Sequence, residues 1–417
     1  MNRGPSIGTS RASTDLDRLV HPDEARAIIF SNLKRTPPEH VSLTNAAWRV
    51  LAEDVVAEED HPPFAASTMD GYAVVAEDPS PWREIVGHQT AGHVAPIEVH
   101  IGTAAWVTTG APLPQGADAV VPVESTELAE DHVIINYEGL KPGDYVRPVG
   151  VDIARGSVVL ERGTTIGPAE IGLLAGLGVD PVPVARRPRV GILSTGNELV
   201  DPWDTPGPGQ IRDSNRFSLQ AAVAEAGGDV VWSGRGADDL DSLRTRLQGL
   251  IAECDVVLTS GGVSMGDMDL IKPLLLELAD VRFRRIFMKP GKPLTFATAG
   301  DTIIVGFPGN PVSAIVGFEV FLRPALRWMQ GCAQIDRPRV KVALEEPARP
   351  SDRIEMQRAI VRVHDGKFSA RTTGSQASSR LSSFVGANAL LEIPAGGDVL
   401  EAGTLVDALL TGPIVAG

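Results

Sequence analysis

The chain has 417 residues, 43% of them apolar, and carries 53 acidic against 38 basic side chains for a net charge of -15. That length and apolar content call for two to four packed domains and exclude a disordered or fibrous chain. The acidic balance excludes a nucleic-acid or anionic-membrane surface, and it leaves any anionic substrate dependent on a local cationic pocket.

Residues 1–14 are small and polar and are expected to be disordered. With no apolar leader and no run of about 18 apolar residues, the chain reads as cytoplasmic, with no membrane contact. From His21, Pro22-Asp23-Glu24 followed by Ala25 to Phe30 predicts a helix, with proline in its first turn and acids countering its dipole; it must stop before Pro37-Pro38. Residues 15–53, rejoined by 154–186, are expected to form a discontinuous linker domain around an inserted β-rich domain at 54–153. That insert is written in short valine-rich runs such as 104–108 and 120–123, broken by Gly, Pro and Asp.

Between 187 and 331 the text changes again. Strands are predicted at 190–194, 229–233, 255–260, 283–288 and 302–307, and helices at 215–226, 239–253, 267–279 and 311–329. This alternation predicts a doubly wound α/β domain. After 331 valine alternates with polar residues, as at 340–344 and 359–363, predicting a C-terminal β domain over 332–417.

The densest chemical signal lies at 255–311, where four glycine turns stand beside apolar runs: Ser260-Gly261-Gly262, Gly266-Asp267-Met268-Asp269, Lys289-Pro290-Gly291-Lys292-Pro293 and Pro308-Gly309-Asn310-Pro311. Glycine lets backbone amides approach phosphate closely, and lysines supply positive charge. Asp267 and Asp269 would repel phosphate unless a divalent cation lay between them, although either also suits a helix cap. Arg284, Arg285, Lys289 and Lys292 form the local cationic cluster. Ligands on open parallel sheets bind past the carboxyl ends of the strands, where Thr195-Gly196-Asn197-Glu198 and the turns at 260 and 308 would emerge together. A metal-assisted phosphoryl or nucleotidyl site is the reading that follows.

Other signals weigh less. Gly262-Val263-Ser264-Met265-Gly266 spells a GxSxG elbow, but the one later histidine, His364, falls in the C-terminal β region, so serine-hydrolase chemistry is disfavoured. Gly291-Lys292 is followed by proline, which removes a P-loop. His88, His93 and His100 are too loosely spaced for a ligand set on one element, and Cys254 and Cys332 form no CxxC, so no disulfide framework or thiolate site is expected.

Seven segments occur in the order of one family: Thr-Met-Asp-Gly-Tyr-Ala (68–73), Thr-Gly-Ala-Pro-Leu-Pro (109–114), Gly-Val-Asp-Ile (150–153), Ser-Thr-Gly-Asn-Glu-Leu (194–199), Ser-Gly-Gly-Val-Ser-Met-Gly-Asp-Met-Asp (260–269), Lys-Pro-Gly-Lys-Pro (289–293) and Pro-Gly-Asn-Pro-Val-Ser (308–313). Over residues 15–415 the chain resembles the molybdopterin molybdenumtransferases, a family that includes the gephyrin E domain. The resemblance implies an elongated homodimer with its cleft between the α/β domain of one subunit and the β-rich domain of the other, and a C-terminal β-barrel-like domain. It implies Mg²⁺-dependent cleavage of adenylylated molybdopterin, release of AMP and insertion of molybdate. By position, Asp70, Thr109, Glu198, Asp238 and Asp269 take the catalytic roles, with Glu198, Asp238 and Asp269 as metal carboxylates. Arg147, Asp152, Ser260, Gly261, Gly262, Arg285, Lys289, Lys292, Pro308, Gly309, Asn310, Pro311 and Ser378 fall to substrate binding. Arg285 stands where relatives often have lysine, which exchanges a point charge for a planar fork. An adenylyltransferase and recipient molybdoenzymes are the expected partners. The alternatives are the preceding adenylylation step and a non-catalytic scaffold of the same fold.

Overall fold

The structure is a computed structural model that describes residues 16–236, 239–261 and 270–416. The expectation of disorder at 1–14 lies outside these residues. At the centre stands an α/β domain built from β1 (Arg189–Ser194), α1 (Asn215–Glu225), β2 (Asp229–Arg235), α2 (Leu240–Glu253), β3 (Val256–Ser260), α3 (Ile271–Leu278), β4 (Asp280–Arg285), β5 (Pro293–Ala299), β6 (Thr302–Phe307), α4 (Pro311–Gly317) and α5 (Arg323–Met329). Its sheet order is β2-β1-β3-β6-β5-β4; the first four strands are parallel and the last two pairings antiparallel. β3 and β6 are buried along their whole length, which is why they read as unbroken apolar runs rather than alternating ones.

Two expectations shift here. The strand predicted at 283–288 runs from Asp280 to Arg285, with Met288–Lys289 instead pairing in parallel with Ile354–Glu355 of the C-terminal domain. The helix predicted at 311–329 contains a π-helical segment, Phe318–Leu322, between α4 and α5. That wider turn carries the buried Glu319, whose carboxylate meets the Arg337 guanidinium at 3.0 Å and so ties the helix to the connection leaving the domain.

The helix at Pro22–Phe30 buries Ala25 and Ile29 in the same core as β1, β3, β6 and α4. Residues 38–41 pair antiparallel with 182–185, and Leu51, Val55, Ile166, Leu174, Val182 and Val184 close a separate small core. Between these two stretches, the strands at 71–74, 82–89, 103–107, 119–122, 126–129 and 132–135 form their own six-stranded sheet around Tyr72, Val74, Val121 and Val133. The C-terminal strands at 339–344, 354–364, 367–372, 389–393 and 405–410 pair in a closed ring, a five-stranded β-barrel without a free edge. Its interior holds Ala359 and Val361. Its outer face sends Met356, Leu390 and Leu409 into the α/β core. No helix among the described residues is long and apolar enough to cross a membrane.

Candidate active site

Three loops leave the carboxyl ends of the parallel strands and are locked to one another by backbone contacts. Thr195 N–H donates to Ser260 O at 2.9 Å, and Gly261 N–H donates to Phe307 O at 3.2 Å. Gly261 has φ +81°, and a Cβ there would lie 2.3 Å from Thr195 O, so only glycine permits this approach. Gly309 comes within 4.0 Å of the Gly261 Cα by the same measure. Because β6, β5 and β4 run up, down and up, the turn carrying Lys289 and Lys292 opens at this same end. The sheet direction therefore brings Glu198, Ser260, Gly261, Lys289, Lys292 and the turn Pro308–Pro311 to one rim.

The floor of this crevice is polar and unsatisfied. Asn215, only 6% exposed at the start of α1, donates from its side-chain amide to Ser260 Oγ at 2.8 Å and to Gly309 O at 2.9 Å. Asn215 Oδ1 and the hydroxyls of Ser194, Thr195 and Thr259 are buried with no partner among the described residues. Buried polar atoms of this kind are ordinarily paired, and three of the four, on Ser194, Thr195 and Thr259, stand at the carboxyl ends of the adjacent strands β1 and β3. Glu198 is exposed, and its carboxylate folds into the space left by the absent side chain of Gly196. Gly262, Asp238 and Asp269 lie outside the described residues, so of the three metal carboxylates expected from sequence only Glu198 has a described position.

The cationic end is built against the barrel. Lys289 Nζ lies 3.2 Å from Glu355, which is itself 4% exposed. Close by in sequence is Arg358, fully buried, which the sequence reading did not single out. It points out of the barrel, opposite in phase to Ala359 and Val361, and is covered by the loop 373–384. Its guanidinium donates to Ser383 Oγ at 3.0 Å, Ala377 O at 3.2 Å and Ser375 O at 3.3 Å, leaving Nη1 without a partner. Burial pulls its pKa down to about 10, so it remains charged at neutral pH. The same loop reaches the α/β domain, where Val312 N–H donates to Ser378 O at 3.1 Å. Glu355 is the ion-pair partner of Lys289 and its charge also acts on Arg358, so one carboxylate stands against two cations, an excess of positive charge suited to an oxyanion.

Replacing Arg358 with leucine is expected to strip Ser375 O of its donor and to remove one of the two bonds at Ala377 O and at Ser383 Oγ, while relieving a buried charge. The net loss is about 1–2 kcal/mol, measured as a lower denaturation midpoint, together with a higher oxyanion requirement in any turnover assay. Arg284 and Arg285 reach Asp17 of the N-terminal segment at 3.2 and 3.9 Å. The cluster that looked uniform in sequence is therefore divided between two neighbours.

The remaining expected residues sit in the β-rich domain. Asp70 accepts from Thr109 twice, at 2.7 Å from the backbone N–H and 3.0 Å from the hydroxyl. These bonds hold its carboxyl below the ordinary range. Segments 66–70, 109–111 and 145–147 are laced together by Gly110 N–H to Ser67 O at 2.8 Å and Thr68 N–H to Tyr145 O at 2.9 Å, which sets Arg147 beside them. Arg147 and Asp152 are both exposed. The stability contributed by a carboxyl with a depressed folded-state pKa is fully present above its unfolded value and is lost as pH falls through the folded one. Thr109→Val should therefore move the Asp70 titration upward toward an ordinary carboxylate, an effect read by NMR of the side-chain carboxyl. An unmoved titration would show that the pair is incidental. Among the described residues no hydrogen bond or salt bridge joins 62–150 to 187–331.

The family model for the MoeA N-terminal region, domains I and II, matches residues 20–178. A probable molybdopterin binding domain matches 191–328, and the MoeA C-terminal region, domain IV, matches 342–411. Molybdopterin molybdenumtransferase of Bacillus subtilis is 35% identical over 401 residues, covering 93% of each chain. Molybdopterin molybdenumtransferase 2 of Mycobacterium tuberculosis is 38% identical, covering 91% of this chain and 96% of that one. Gephyrin of Dictyostelium discoideum is 36% identical over 94% of this chain, which spans 62% of that longer protein. Among solved structures, a molybdopterin biosynthesis MoeA protein from Pyrococcus horikoshii superposes with a TM-score of 0.82 at 30% identity, covering 95% of this chain and 100% of that chain.

Proposed function

Since this chain belongs to the MoeA family of molybdopterin molybdenumtransferases, we propose that it inserts molybdate into adenylylated molybdopterin in the crevice at the carboxyl ends of β1, β3 and β6, releasing AMP. The observation that carries this reading is the pairing of an unsatisfied polar floor with a cationic end that has no carboxylate to spare. Molybdate is a dianion substrate, and Lys289 with the buried Arg358 attracts it without a proton transfer. Asn215 fixes the Ser260 and Gly309 turns, so their backbone meets a phosphate without rearranging during the reaction. Pro308 and Pro311 stiffen the turn leading into α4, and Ser378 borders it from the barrel side.

The donor set also suits Mg²⁺: Glu198 with Asp238 and Asp269 would supply carboxylate oxygens, and the unpaired hydroxyls of Ser194 and Thr195 are hard oxygens of the type such an ion takes, directly or through water. When bound, the ion supplies neutralisation of the charge gathering on the phosphate oxygens. Asp70, kept ionised by Thr109, serves from the β-rich domain of a second copy in a homodimer. The enzyme acts in the cytoplasm, between an adenylyltransferase that supplies its substrate and the molybdoenzymes that receive its product. Purified protein given adenylylated molybdopterin and molybdate should release AMP only when Mg²⁺ is present. AMP release independent of both molybdate and Mg²⁺, or none at all, would overturn the assignment.

A further inference from the structure

We propose that Trp203 and Phe217 form an aromatic ledge that receives the adenine ring of the nucleotide substrate. The inference rests on the reading of the crevice as the seat of adenylylated molybdopterin. Trp203 is 73% exposed, with Ile211 at 59% and Phe217 at 37% beside it, an apolar cluster on an otherwise polar loop. It is held in place rather than left loose. The two rings meet edge to face with centroids 6.2 Å apart and an interplanar angle of 84°. The Arg216 guanidinium lies 4.7 Å from the Phe217 ring centroid and is itself tied to Asp213 and Asp201. Arg212 Nε donates to Pro202 O at 2.9 Å, and Leu199–Val200 pairs with Ile211–Arg212, closing the loop at its base. A rigid indole with most of its surface open to water offers a π-face to any planar heterocycle.

The ledge is contiguous with the site. The loop that carries Trp203 is joined to the site at its base, where Ile211 N–H donates to Glu198 O at 2.7 Å. It stands on the β1 side of the crevice, whereas Lys289 and Ser378 stand on the β6 and barrel side. With molybdate and the dithiolene at the cationic end and the phosphates over the glycine turns, the adenosine end points toward Trp203.

The test measures binding of AMP and of ribose 5-phosphate, which lacks the base, to the full-length protein by calorimetry, with light scattering to record the assembly state. Trp203→Ala should weaken AMP by about tenfold and leave ribose 5-phosphate unchanged, and Trp203→Phe should restore most of the loss. Equal weakening of both ligands would overturn the ledge, as would a change of oligomeric state in Trp203→Ala, which would assign the ring to a contact between copies. If AMP binds the wild type and Trp203→Ala alters nothing, the ledge alone is wrong. If the wild type binds no AMP with or without Mg²⁺, the reading of the crevice fails and the ledge with it.

Discussion

Gly261→Ala is expected to abolish turnover and to lower the melting temperature of the α/β domain by roughly 5–10 °C. The substitution meets two obstacles at once. At φ +81° an L-residue is strained, at about 1–3 kcal/mol, and its Cβ would sit 2.3 Å from Thr195 O, a backbone atom that cannot swing aside. Relief requires separating the loop after β3 from the loop after β1, which breaks the Thr195 N–H to Ser260 O bond and moves Glu198 and Asn215 relative to each other. The control is Gly249→Ala in α2, where an added Cβ meets nothing within 4 Å. That change should hold or raise the melting temperature, by the helix preference of alanine of about 0.5–1 kcal/mol, and leave turnover intact. Retained activity in Gly261→Ala would mean that the approach of these loops does not form the floor of the site.

The α/β domain was legible in sequence because its inner strands are buried on both sides and so read as compact apolar runs between glycine turns; β1, β3 and β6 fall where those runs predicted them. The barrel was legible from valine alternation, but its closure was not, since that depends on which strands meet across gaps of up to 70 residues, as Arg339 opposite Leu409 does. Residues whose importance comes from distant partners left no local mark. Asn215 looks like an ordinary helix start until Ser260, 45 positions later, and Gly309, 94 positions later, are brought to it. Arg358 is a single charge in a strand rich in charges, and only the covering loop 373–384 distinguishes it from Arg362. The π-helical segment escaped for the same reason, because Glu319 is anchored by Arg337 from beyond the helix. The glycine turns were easier to read: their conformational demand is local, while their convergence follows from strand direction alone.

Mixing protomers that carry Asp70→Ala with protomers that carry Glu198→Ala is expected to restore about one quarter of wild-type turnover, where each variant alone has almost none. The two carboxylates belong to different domains, and among the described residues no hydrogen bond or salt bridge connects the β-rich domain to the α/β domain of its own chain. Asp70 is nonetheless prepared for a role: it is exposed, held by two bonds from Thr109 and kept ionised by them. A carboxylate arranged in this way, with no described residue of its own α/β domain bonded to it, fits a cleft completed by a second copy. In a two-fold dimer each cleft then takes Asp70 from one protomer and Glu198 from the other. Random pairing of the two variants makes half the dimers mixed. In each mixed dimer one cleft unites both wild-type carboxylates and the other unites both alanines, so about half of one half of the clefts work. Co-expression with two affinity tags isolates the mixed dimers, whose turnover should approach half that of the wild type. If instead the cleft lies within one chain, every site in every mixture lacks one carboxylate, and turnover stays at the level of the separate variants.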